Sequence, residues 1–205
     1  MERTVIDAFS VPLIKTSLPE VLKNIDLRYV KNIKKRNSSG YLNINCSQSD
    51  QVLDDPKLSE LKDAISNEID MAARGALGLK GQNSLKISCS WTNYAEKGKG
   101  HTKHIHRNSV ISGVFFIDVE KSVPWIKFDN PLPSWYGEWE REFYNPINGF
   151  GYDLPVSNGD LVFFPSWWVH YVPVNTTNHT RITLSFDTIL KGPLKNEVGT
   201  HLTDL

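Results

Sequence analysis

The sequence predicts a mainly β fold, a sandwich or jelly roll with flanking helices packed on one of its sheets. Three observations carry that prediction. Short apolar stretches of strand length recur after Gly81, separated by turn residues. One strongly amphipathic helix precedes them. The last stretches place His, Arg, Thr and Ser together on one face, which the inside of a β-sandwich tolerates only where they line a cavity.

Taken in order, residues 4–16 read as a strand that Pro12 confines to a sheet edge. Ser17-Leu-Pro19 starts a short helix through Val21, Leu22 and Ile25. Residues 31–49, basic and then rich in Asn and Ser, read as loops. The clearest helix begins near Pro56. Leu58, Leu61, Ile65, Ile69 and Ala72 recur there at the helical period, and Gly75 or Gly78 ends it. Residues 84–94 alternate as a strand with Leu85, Ile87, Cys89 and Trp91 on one face. Further strands are expected at 110–119, 125–128, 160–165 and 180–190. The strand at 160–165 follows Ser157-Asn-Gly-Asp160, a hairpin signal. Residues 1–205 then form a single domain: a strand and helices in 1–80, a β core in 81–190 and a polar tail in 191–205. Residues 130–151 are aromatic and punctuated by proline. They read either as a loop packing its rings on the sandwich or as a lid over a site.

Composition narrows the function. Lys+Arg and Asp+Glu are both 23, so nothing favours nucleic acid or an anionic membrane surface as a partner. No apolar run approaches the ~20 residues that span a bilayer, and the N-terminus lacks the apolar stretch of a signal peptide. Cys46 and Cys89 lie in unrelated segments and read as reduced thiols of a cytoplasmic protein.

The chemistry concentrates in the histidines. His104 and His106 lie two apart in His101-Thr-Lys-His104-Ile-His106, a spacing that puts both on one face of a strand. They could grip a metal ion from one side while His170 closes the site from another strand. Two histidines and a carboxylate with open positions mark non-haem Fe(II) oxygenases; here histidine stands where the carboxylate would be. His179 and His201 sit in polar segments and read as exposed, and His101 stays open. A turn at 175–178 would pair His170 with Thr183 and Val172 with Arg181. His170, Arg181, Thr183 and Ser185 would then look inward together. Tyr171, Ile182, Leu184 and Phe186 would look the other way.

Four segments carry a family resemblance: His104-Ile-His106-Arg-Asn-Ser109, Ser112-Gly-Val-Phe-Phe116, Gly159-Asp-Leu-Val-Phe-Phe-Pro-Ser166 with His170, and Arg181-Ile-Thr-Leu-Ser-Phe186. In their order and spacing, over roughly residues 85–188, the chain resembles the Fe(II)/2-oxoglutarate-dependent oxygenase superfamily, and within it a branch from bacteria and phages. The resemblance implies a double-stranded β-helix (jelly-roll) core with Fe(II) and 2-oxoglutarate as cofactors. It makes His104 and His170 metal ligands, Arg181 the partner of the far carboxylate of 2-oxoglutarate and Thr183 its hydroxyl helper. It also makes Tyr94 a hydrogen-bond donor to the co-substrate. His106 departs from the family pattern, which has Asp or Glu there. Asn108 and Asp118 are alternative third ligands, though neither stands at the family's offset from His104. Imidazoles would equally suit zinc or nickel.

The activity so implied is a dioxygenase that uses molecular oxygen and 2-oxoglutarate, hydroxylates a small-molecule or peptide substrate, and releases succinate and CO2. Trp135, Tyr136, Trp139, Phe143 and Tyr144 are candidates to line the substrate pocket; Trp167 and Trp168 either join them or pack. Two alternatives stay open: a three-histidine dioxygenase that does not use 2-oxoglutarate, and a non-catalytic jelly-roll binding module.

Overall fold

A computed structural model describes residues 10–37, 44–79, 81–120, 126–132, 140, 142–145, 148–195 and 201–204. The described chain begins with β1 (Ile14–Ser17), α1 (Pro19–Asn24), α2 (Leu27–Asn32), β2 (Lys35–Asn37) and β3 (Asn45–Ser47). Two 3-10 turns, Val52–Asp54 and Pro56–Leu58, lead into α3 (Ser59–Ala76). Then come β4 (Ser84–Ala95), β5 (His101–His104), β6 (Ile111–Asp118), β7 (Ile126–Asp129), β8 (Gly151–Leu154), β9 (Asp160–Pro165), β10 (His170–Val172) and β11 (Arg181–Lys191). β12 (Pro193–Lys195) and β13 (His201–Asp204) pair with each other at the end.

The strands form two facing layers, the predicted mainly β jelly roll. The larger sheet has the order β1-β9-β6-β11-β4-β3-β2 and the smaller one β5-β10-β7-β8. From β5 to β11 the chain crosses between the layers at every connection except β7 to β8, and every pairing between neighbours is antiparallel. The Ser157-Asn-Gly-Asp160 turn forms, with Gly159 at φ +87°, but it carries the chain from β8 in one sheet to β9 in the other instead of closing a hairpin.

Two apolar clusters fix the layers. Leu58, Leu61, Ile65, Ile69 and Ala73 of α3 and its leading turn pack with Phe115, Ile117, Ile182, Leu184 and Phe186 on the outer face of the large sheet. The expected helical stripe is therefore the face that α3 buries. Between the sheets, Val114, Phe116, Phe128, Val162, Phe164 and Trp168 form the second cluster. The expected loop at 31–49 contains structure instead. Asp26 caps α2 by accepting from the Arg28 and Tyr29 amides at 2.9 and 3.2 Å, and β3 extends the sheet through the backbone of β4. Short polar elements held by a cap and by a neighbour's backbone leave no apolar period to read. The edge strand is β1, paired with β9, and begins just beyond Pro12; residues 1–9 and Trp125 lie outside the described residues.

One irregularity redirects a whole strand. Asp187 pairs with Cys89 and Thr188 with Ile87, so Ser88 is an extra residue in β4. A bulge of one residue turns every later side chain to the opposite face. Leu85 and Ile87 pack on the helix side, whereas Trp91 and Asn93 line the space between the sheets. The expectation that Leu85, Ile87, Cys89 and Trp91 share a face is thus corrected. The same bulge turns Tyr94 outward. Its hydroxyl donates to the Val30 carbonyl at 2.6 Å and accepts from Thr92 Oγ1 at 3.0 Å, and only 2% of the residue is exposed.

Tyr94→Phe should therefore cost about 1 kcal/mol of stability through the bond lost to Val30 and leave any ligand affinity of the inter-sheet pocket unchanged; urea unfolding beside a ligand titration checks both. Gly113 offers a second test. A Cβ there would overlap the Phe186 ring, which covers it from the paired strand. Gly113→Ala should destabilise by about 1–3 kcal/mol as overpacking does, and the added change Phe186→Leu should recover part of that loss in the same unfolding assay.

Candidate metal and co-substrate site

Antiparallel pairing of β5 with β10 sets His170 directly opposite His104. His106 is not on the strand with His104, as the spacing alone suggests, because β5 ends at His104. A backbone bond from the His106 amide to the Ser166 carbonyl, 2.8 Å, pins the following loop to the end of β9. The three side chains still converge: one ligand atom of each lies within 4.8 Å of the others.

Hydrogen bonding decides which nitrogens converge. Nδ1 of His104 bonds the Thr102 carbonyl at 2.8 Å, and Nδ1 of His170 bonds the Trp168 carbonyl at 2.9 Å. Nδ1 of His106 lies 2.9 and 3.1 Å from the two oxygens of Asp187. Carbonyls and carboxylates only accept, so each Nδ1 must carry the proton and each neutral ring presents its lone pair at Nε2. Nε2 of His106 and Nε2 of His170 are 3.3 Å apart. Two lone pairs at that distance repel unless a proton or a metal cation lies between them. Burial also holds His104 and His170 neutral, pushing them down to about 2 and about 4, with further lowering from the neighbouring histidines. Three neutral imidazoles, each oriented by its second nitrogen, are a donor set for a divalent transition metal.

The other wall of the pocket is the inner face of the large sheet. Arg181, Thr183 and Ser185 of β11 line it with Trp91 and Asn93 of β4, around a space of about 480 Å³ that includes its open mouth. Asn93 donates to Ser185 Oγ at 3.0 Å. Arg181 is 2% exposed and lies over the Phe116 ring, 5.8 Å from its centroid. Burial alone pushes its guanidinium down to about 9, still a cation at neutral pH. A carboxylate of matching geometry would relieve that cost with a two-pronged bond.

The expected hairpin of His170 with Thr183 does not form. β10 belongs to the small sheet and β11 to the large one. Asn175, fully buried, organises the crossing between them by donating to the Ala95 and His179 carbonyls at 2.8 and 2.7 Å. The predicted inward set nevertheless meets in one pocket, because it faces across the sandwich rather than along a ladder. Tyr94 is not in that pocket. Asp118 lies apart from the three histidines: it ends β6 beside Lys31 and His179, at 3.2 and 2.8 Å. His179 is partly exposed there, and the side chain of His201 lies outside the described residues. His101 lines the pocket with its ring 3.8 Å from that of His104, centroid to centroid. Trp168 packs on Phe128 and donates to the Asp129 carbonyl at 2.6 Å, whereas Trp167 is exposed. Phe143 and Tyr144 are exposed; Trp135, Tyr136 and Trp139 lie outside the described residues.

Sequence reasoning missed Asp187. Its signal was present, since the two-residue period of Arg181, Thr183 and Ser185 reaches Asp187 at the next step. Cys46 and Cys89 are unbonded, and no helix among the described residues is long and apolar enough to cross a membrane.

Comparison with known proteins agrees with this geometry. Residues 89–187 match a family model described as "Putative 2OG-Fe(II) oxygenase". No curated protein matches the chain in sequence. Among solved structures, the chain is similar to the non-haem α-ketoglutarate-dependent epimerase SnoN from nogalamycin biosynthesis, with a TM-score of 0.62 and 14% identity over 87% of this chain and 78% of that one. A prolyl-4-hydroxylase from Pseudomonas putida gives a TM-score of 0.59 and 12% identity over 87% of this chain and 93% of that one. HygX from Streptomyces hygroscopicus, a structure with nickel and 2-oxoglutarate bound, gives 0.60 and 8% over 87% and 82%. At these identities the structures speak for the fold, and the family model speaks for the segment that carries the histidines. The segment 89–187 is thus similar to the 2OG-Fe(II) oxygenase family, and the two sheets built around it have the fold of these solved structures.

Proposed function

We propose that this chain is a dioxygenase that binds Fe(II) through His104, His106 and His170 and 2-oxoglutarate through Arg181, and that hydroxylates a small molecule or peptide with release of succinate and CO2. The observation that carries the proposal is three histidines whose ligand atoms lie within 4.8 Å of one another in one pocket with a buried arginine. When bound, iron with 2-oxoglutarate supplies the oxidising power for attack on a C–H bond. The protein's own residues do the rest. The three Nδ1 bonds hold the imidazoles in the binding tautomer. Arg181 offers its planar fork to the far carboxylate, and Thr183, on the same face of β11, adds a hydroxyl. Phe164 and Ile126 line the pocket with apolar surface and limit the water that reaches it.

Anaerobic addition of Fe(II) and then 2-oxoglutarate should produce the visible charge-transfer band of keto-acid chelation, and His170→Ala should abolish it. Iron binding without the band would favour a three-histidine dioxygenase that does not use 2-oxoglutarate. Failure to bind any metal would favour a binding module.

Arg181→Ala should weaken 2-oxoglutarate binding by about two orders of magnitude, the scale of a buried charge-assisted pair, with metal affinity kept. Arg181→Lys should recover only part, because it keeps the charge and loses the fork. Equal loss of metal and 2-oxoglutarate would show misfolding and remove Arg181 from the proposed role.

A further inference from the structure

Asp187 has a contact set that the proposed ligands leave unexplained. Its carboxylate sits between the sheets with its side chain 15% exposed. Ser112 Oγ donates to Oδ1 at 2.6 Å, and the Cys89 thiol approaches Oδ2 at 3.7 Å. Burial and the charge of Asp187 push that thiol up to about 11, so it stays a neutral donor. Among the described residues no lysine or arginine pairs with Asp187; the titratable group beside it is the His106 imidazole. A partly buried carboxylate with neutral donors and no cation is costly. Its position is not accidental, because Ser112 is itself held by Ser166, at 2.8 Å between the hydroxyl oxygens.

His106 is also the residue that departs from the family pattern, standing where a carboxylate would bind the metal directly. We infer that Asp187 is a positioning residue that returns this missing negative charge to the metal through His106, one hydrogen bond behind the ligand. The carboxylate fixes the proton on Nδ1, aims Nε2 at the metal and raises the basicity of the ring as a donor. The trio works as a unit: histidine at 106 calls for an acid at 187, and an acid at 106 would make one at 187 repulsive. This inference rests on the metal-binding part of the proposed function and is independent of 2-oxoglutarate.

The test is Ni(II) binding by calorimetry in wild type, Asp187→Asn, His106→Asp and the double variant, with thermal unfolding to establish that each folds. Asp187→Asn should weaken Ni(II) by about 10–100-fold, the usual scale for loss of such a partner, and Asp187→Glu should recover part of it. In the His106→Asp background the same Asp187→Asn change should cost nothing or tighten binding. Loss by the same factor in both backgrounds, or less than a twofold loss in the first, would overturn the inference.

A measurement on the unaltered protein stands if a variant does not fold. Co(II)-loaded protein should show three paramagnetically shifted, solvent-exchangeable N–H resonances, one for each Nδ1. Only two, or no metal uptake at all, would remove His106 from the ligand set and the inference with it. Ni(II) uptake that follows the predicted pattern without a 2-oxoglutarate band in the iron titration would leave Asp187 in place and overturn the co-substrate reading alone.

Discussion

Three imidazole nitrogens held with their lone pairs towards one point are the constraint on which the rest of this molecule depends. Such an arrangement is unfavourable by itself: the rings are desolvated, and Nε2 of His106 and Nε2 of His170 face one another at 3.3 Å. It persists because each ring is fastened at its other nitrogen, two of them to backbone carbonyls that the sheets hold rigid. The β5–β10 pairing sets His104 against His170, and the amide of His106 is tied to the end of β9. The smaller sheet holds this geometry while Ile126, Phe128 and Leu154 of the same sheet join the apolar cluster between the layers.

The larger sheet supplies that burial. Its outer face is covered by α3 and the short N-terminal helices through a cluster reaching from Ile25 to Phe186. Its inner face can then carry Arg181, Thr183, Ser185 and Asp187, a set too polar to drive folding. β11, lying between β4 and β6, presents both faces at once: Ile182, Leu184 and Phe186 to the helices, and the polar set to the pocket. A strict period of two along one strand therefore divides stability from chemistry.

That division explains what could be read from the sequence. The period of β11 and the histidine set were legible because both are local and repeat at strand spacing. The stripe of α3 was legible for the same reason at helical spacing. The bulge at Ser88 was not. One extra residue has no composition of its own, yet it reverses Trp91, Asn93 and Tyr94 together. The crossing after β10 was equally hidden: the polar segment 173–180 looks like a hairpin turn, and only the long-range bonds of Asn175 to Ala95 and of Gly98 to Asn175 make it a passage between sheets. The polar face of β11 was correctly turned inward even so, because two sheets that face each other present their inner residues to the same space as a paired hairpin would.

Charge ties the two walls of the pocket together. Three neutral imidazoles leave a divalent metal its full charge, and Arg181 adds another positive charge within the same cavity. Two such cations facing each other across a desolvated space would repel strongly. Asp187 behind His106 offsets one unit from the protein side. A dianionic keto acid lying between metal and arginine would offset the other two, leaving the filled pocket neutral. A site with an acid at position 106 in addition to Asp187 would carry one negative charge too many for the same co-substrate. The histidine at 106 and the carboxylate at 187 are then two halves of one solution to the charge of this cavity.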